Sequence, residues 1–114
     1  ETHHKHKKDA PSGTALSLGK FAAKGRKTNF KKVCILNRTS KDMIRKKGDI
    51  GFSVTRGGEV AGEHTVSFIG PNDRMEFIHK ASNRSIFVKG AIKAAIFISK
   101  KKRGLYDMNN LLAI

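Results

Sequence analysis

The densest chemistry in the chain lies in Glu1-Thr2-His3-His4-Lys5-His6-Lys7-Lys8-Asp9-Ala10-Pro11-Ser12-Gly13-Thr14. Three histidines and three lysines stand directly before a Ser-Gly-Thr run that opens a helical pattern. That order of residue types suits an anion. A helix N-terminus offers unpaired backbone N–H groups and the positive end of the helix dipole. Gly13 lets a ligand approach the backbone, and Ser12 and Thr14 add hydroxyls. A loop folded back over them brings imidazole and ammonium groups to the same anion. Histidine also offers a proton near neutral pH, and a lysine among other cations can share that task. Two plainer readings compete. As a metal tract, His3, His4 and His6 have only Asp9 close by, and neighbouring histidines on a strand face opposite ways. No metal is therefore expected. An ordinary solvated basic loop stays open on composition alone.

These side chains need a strand before them and a helix after them. Residues 1–11 read as the end of a strand and a polar loop closed by Pro11. Ala15, Leu16, Leu18, Phe21, Ala22 and Ala23 then recur at helical spacing, ending near Gly25. Residues 33–36 fit a short strand or one helical turn, and residues 41–47 a polar connector. Residues 50–55 alternate as a strand, and Gly57-Gly58 marks a turn. Residues 64–69 and 74–80 alternate again around Gly70-Pro71-Asn72-Asp73, which predicts a hairpin. From about residue 83 to 101 the period becomes helical, with Ile86, Phe87, Ala91, Ala94, Ala95 and Ile98 on one stripe. Gly104 stops it, and residues 105–114 read as a loop with a short helical turn. The expected class is α+β: a mixed, mostly antiparallel sheet with two helices packed on one face. The other face, carrying Thr and Ser together with Val and Phe, is expected to serve oligomerisation.

At 114 residues the chain is one domain or a piece of one. Its first residue is Glu1 rather than methionine, so a fragment or processed product is expected. Lys and Arg number 24 against 9 Asp and Glu, a formal charge of +15. Such an excess raises the case for nucleic acid, making a small basic nucleic-acid-binding module the alternative reading. Against it, the lysines are dispersed, no aromatic residues interleave with the basic ones, and zinc-finger spacing is absent. No apolar run reaches the roughly 20 residues that span a bilayer, and no apolar leader is present. Cys34 is the single cysteine, which excludes an internal disulfide and fits a cytoplasmic setting. It reads as a buried apolar residue.

Four ordered blocks carry a family resemblance. Residues 1–15 resemble the signature of 4-hydroxy-tetrahydrodipicolinate (dihydrodipicolinate) reductases. Arg56-Gly57-Gly58 with Gly62-Glu63-His64-Thr65-Val66 resembles the next block, and His79-Lys80-Ala81-Ser82-Asn83-Arg84 with Phe87 the one after. Gly104-Leu105-Tyr106-Asp107-Met108 resembles the C-terminal ending. Only about residues 17–48 lack a matching block.

The resemblance implies a substrate-binding and tetramerisation domain spanning residues 1–114, without the dinucleotide-binding domain that precedes it in the family. No G-x-G-x-x-G fingerprint follows a strand here. It implies His3 as proton donor with Lys7 beside it, and His4, Ser12, Gly13 and Thr14 as the holders of a small cyclic dicarboxylate. Arg84 and Phe87 match positions that reach the NADH or NADPH cofactor in a homotetramer. Alone, this stretch is expected to be inactive. His64, His79 and Asp9 read as structural, with Asp9 ordering the loop.

Overall fold

The computed structural model describes all residues from Glu1 to Ile114, in two compact units, Glu1–Ser82 and Asn83–Ile114. In the first, a four-stranded sheet runs in the order β4 (Thr55–Arg56), β1 (Thr2–His3), β5 (Gly62–Ile69), β6 (Arg74–Ala81). The short β1 is central. It pairs parallel with β4, His3 opposite Arg56, and antiparallel with β5, Thr2 opposite Glu63. The hairpin of β5 and β6 is in register from Gly62–Ala81 to Ile69–Arg74, and its turn closes with Gly70 N–H donating to the Asp73 carbonyl at 2.9 Å. The sheet is mixed and mostly antiparallel, as the alternation predicts.

Helix α1 (Gly13–Gly25) follows from its cap. Ser12 is extended, and its Oγ accepts from the Ala15 N–H at 3.2 Å. Ala15, Gly19 and Ala23 are its buried residues, at i, i+4 and i+8. Small residues at that spacing form one close-approach stripe. A Cβ at Gly19 would lie 2.5 Å from Phe52 Cζ and 3.1 Å from Phe30 Cε2, so those two rings, packed edge to face, occupy the space a side chain would take. Leu18, Phe21 and Ala22 line an apolar groove of about 440 Å³ with Val66, Phe68 and Phe77.

That groove corrects the expected face assignment. Strict alternation puts Val66 and Phe68 on the α1 side, with Phe77 and Met75 opposite them in register. The other face of the hairpin carries Glu63, Thr65, Ser67 and Ile69 with their partners Lys80, Ile78, Glu76 and Arg74. It is more polar than the sequence suggested. Ser67 Oγ donates to Glu76 at 2.7 Å, and Lys80 pairs with Glu63 at 3.7 Å.

Two further expectations change. Residues 50–55 are not one strand. β3 (Ile50–Gly51) joins β2 (Cys34–Ile35) in a separate parallel pair, whereas Thr55–Arg56 joins β1. The chain turns between them where the Phe52 ring meets α1. Residues 33–36 combine both alternatives, since the turn of helix α2 (Phe30–Val33) runs straight into β2. Cys34 is half-buried, and that burial pushes its thiol pKa up.

In the second unit, α3 (Ser85–Ser99) ends two residues earlier than its pattern suggests, and α4 (Met108–Leu112) starts with a capping box between Asp107 and Asn110. Phe97 packs edge-on against Tyr106, with Lys101 Nζ 4.5 Å above the Phe97 ring. No residue of α3 is buried, and Ile86, Phe87, Val88, Ile92, Ile96 and Ile98 are all exposed.

Candidate functional site

The register of β1 with β4 and β5 brings His3, Arg56, Gly62 and His64 to one sheet face, where the start of α1 closes over them. His3 and Ser12 are the two buried polar residues of the chain, 8 % and 3 % exposed. Between them sits Glu1. Its Oε2 pairs with His3 Nδ1, while its Oε1 accepts from Arg56 Nη2 at 2.8 Å and from the Ser12 N–H at 3.4 Å. Ser12 Oγ also pairs with His64 Nε2 at 3.1 Å, and the His64 ring stands edge-on to His3 with centroids 5.0 Å apart. Two expected site residues, His3 and Ser12, are therefore joined through a carboxylate that sequence reasoning passed over.

Lys7 is held elsewhere in the same network. Its Nζ donates to Asp9 Oδ1 at 2.7 Å, and the Asp9 carbonyl accepts from Arg56 Nη2 at 2.6 Å. A carboxylate, not a crowd of cations, is thus the immediate neighbour of Lys7. That hydrogen bond holds the Asp9 carboxyl below its usual range, against a smaller opposing effect of desolvation. His4 is half-buried near His6, with ring centroids 6.4 Å apart. Gly13 and Thr14 are exposed on the first turn of α1. The Ser12 hydroxyl is already engaged by Ala15 and His64, so at this helix start the exposed groups lie at Gly13 and Thr14. Arg84 and Phe87 belong to the second unit. Arg84 precedes α3 without a side-chain cap, and Phe87 is exposed one turn on.

Glu1, His3 and His64 each present a ligand-type atom within 4.8 Å of the others. Glu1 Oε1 and His64 Nε2 are nevertheless engaged already, and the Arg56 guanidinium on Glu1 opposes a second cation there. The cluster is a buried ion network, hydrogen-bonded at Glu1 Oε1 and at Ser12 and joined to His3 by a close ion pair.

Its electrostatics follow from burial and charge. Desolvation is the largest influence on Glu1 and pushes its pKa up. The Arg56 hydrogen bond and charge, the Ser12 N–H and His3 together outweigh it, so the carboxyl ends below its ordinary 4.5. His64 moves below its ordinary 6.5, first through desolvation and then through repulsion from His3. The unfolded chain therefore takes up a proton at His64 at a higher pH than the folded one. Stability should fall as pH drops through about 6.5 and level off below the folded value. A second loss should follow as pH falls through 4.5 and on to the lower folded value of Glu1. Urea midpoints between pH 7.5 and 3.5 measure both. His64→Gln should flatten the first slope, and an unchanged slope would refute the assignment to His64.

Fold and site together define an α+β domain with a buried ionic cluster beside a helix N-terminus. The family described as "Dihydrodipicolinate reductase, C-terminus" matches residues 1–112, and the chain belongs to it. The chain is similar to 4-hydroxy-tetrahydrodipicolinate reductases of Buchnera aphidicola (subsp. Cinara cedri), 54 % identical over 98 % of this chain and 41 % of that protein, and of Caulobacter vibrioides, 51 % identical over 98 % and 44 %. It spans about two fifths of these relatives' length. Among solved structures, "Dipicolinate bound Dihydrodipicolinate reductase from Paenisporosarcina sp. TG-14" superposes with a TM-score of 0.66 over 96 % of this chain and 42 % of that one, at 22 % identity. That match shows the fold.

Proposed function

We propose that residues 1–114 form the substrate-binding and assembly domain of a cytoplasmic NAD(P)H-dependent reductase. That enzyme converts 4-hydroxy-tetrahydrodipicolinate to tetrahydrodipicolinate, in lysine and diaminopimelate biosynthesis. The observation that carries this reading is the exposed start of α1 at Gly13 and Thr14, one residue from the buried cluster that holds His3. A small cyclic dicarboxylate places one carboxylate on those N–H and hydroxyl groups, with His4 and Lys7 beside it. The Ser12 hydroxyl then shapes the helix start rather than touching the ligand. A relative of this fold is described as dipicolinate bound, which supports a planar dicarboxylate as the ligand class.

The cofactor, when bound, supplies hydride. In this chain, Arg84 and Phe87 suit such a ligand. They offer an exposed guanidinium and an exposed ring one helical turn apart, groups that pair with phosphate and stack on a flat heterocycle. His3 or Lys7 delivers the proton that balances the reduction. A homotetramer accounts for the apolar residues that α3 leaves exposed. The nucleic-acid alternative has only the net charge behind it.

Calorimetric titration of the full-length protein with pyridine-2,6-dicarboxylate tests the site. Saturable 1:1 binding is expected, weakened about tenfold or more in His4→Ala and in Thr14→Ala, since each removes a hydrogen bond to a charged group. Absence of binding by the folded protein, or binding indifferent to both variants, would refute the placement.

A further inference from the structure

His3 is confined from two sides. Its Nδ1 lies against Glu1 Oε2, both atoms buried and neither in a directed hydrogen bond, and the other carboxylate oxygen is held by Arg56 Nη2 at 2.8 Å. Arg56 stands opposite His3 in the parallel ladder, so backbone register brings the guanidinium to this place. On the far side of the ring lies Gly62. A Cβ there would sit 3.1 Å from Nε2 and 3.3 Å from Cδ2, and the glycine adopts φ +155°, which side chains disfavour. One nitrogen thus faces a carboxylate, and the other packs against a residue whose lack of a side chain makes room for the ring.

We propose that Glu1, anchored by Arg56, is a positioning residue that holds His3 in the Nδ1–H tautomer and leaves Nε2 as the atom that exchanges the proton. The inference rests on the reading of His3 as proton donor and adds the group that sets its tautomer. The physical reason is donor and acceptor inventory. An ionised carboxylate only accepts, so Nδ1 must carry the hydrogen that faces it. Glutamine has the same shape but one accepting and one donating end. Arg56, a pure donor, draws the amide oxygen to itself, which turns the NH2 towards Nδ1. His3 must then accept at Nδ1 and carry its hydrogen on Nε2. The orientation survives and the tautomer reverses.

The test uses the full-length protein with 15N-labelled histidine. Long-range 1H–15N correlation should show neutral His3 as the Nδ1–H form in the native protein and as the Nε2–H form in Glu1→Gln. Turnover in that variant should fall on the order of 10²-fold or more, with KM for the dicarboxylate changed by less than about threefold. Glu1→Asp keeps an acceptor and should retain the native tautomer with a smaller loss. An Nε2–H tautomer in the native protein overturns the proposal without any variant being made. Equal turnover of Glu1→Gln and native protein also overturns it. If His3→Gln abolishes turnover while Glu1→Gln does not, the positioning role alone has failed. If neither variant matters, the reading of His3 as donor has failed with it.

Discussion

Replacing His3 by Gln in the full-length protein should lower kcat by roughly 10²–10⁴-fold while leaving KM for the dicarboxylate within about threefold, because a positioned proton donor acts in the transition state. The geometry sets the terms of that loss. His3 is buried, with Nδ1 against a carboxylate that also receives a guanidinium and with its far edge against Gly62, so the ring's place is determined before any ligand arrives. Gln retains a polar side chain of related reach but cannot cycle a proton near neutral pH. Lys7→Met should differ in kind. The Lys7 side chain is tethered only to Asp9, in a loop pinned by Arg56, and in the proposed site it would pair with the ligand's carboxylate as well. Its loss should therefore raise KM as well as lower kcat. If the two acted as one proton-delivery unit, the double variant would lose much less than the product of the single losses. Steady-state kinetics on the three variants decides this, and a His3→Gln enzyme with native kcat would remove His3 from the reaction.

Gly62→Ala should cost about 1–3 kcal/mol of stability, because a methyl group must fit at φ +155° and against the His3 ring. In the full-length protein, which kinetics requires, each kcal/mol corresponds to a fall in Tm of about 2–4 °C. The same methyl group pushes Nε2, so turnover should fall with stability even at temperatures where the variant stays folded. Gly57→Ala is the control. It lies one residue beyond β4, and an added Cβ there meets nothing within 4 Å, so a change below about 0.5 kcal/mol is expected. Thermal melts of both variants, with kinetics at 20 °C below the lower midpoint, separate the two effects. A Gly62→Ala protein with native Tm and native turnover would show that the ring has room to move.

Much of this protein was legible along the chain, and the legible parts share a cause. Ser12 before a helical run announces α1, because a cap acts on the N–H groups two or three residues on. The alternation of residues 64–69 and 74–80 about Gly70–Asp73 announces the hairpin, because side-chain direction has period two and the turn residues lie between. The residues from His3 to Thr14 read as a candidate anion site on the same grounds, since loop and helix start are contiguous. All of these are relations between near neighbours.

The rest depended on contacts between distant segments. Glu1 and Arg56 are 55 positions apart and meet because two-residue strands align in parallel; Ser12 and His64, 52 apart, meet because β5 lies beside β1. No local period encodes either pairing. The register of a two-residue ladder follows from the packing of α1, the Phe52 ring and the hairpin, each with alternatives at the level of sequence. For the same reason residues 50–55, uniform in pattern, are divided between two sheets. The chain by itself singled out the side chains proposed to bind an anion and donate a proton. Only the tertiary structure decided that a buried carboxylate holds one of them, because a buried charge must be paired and its partner lies on another strand.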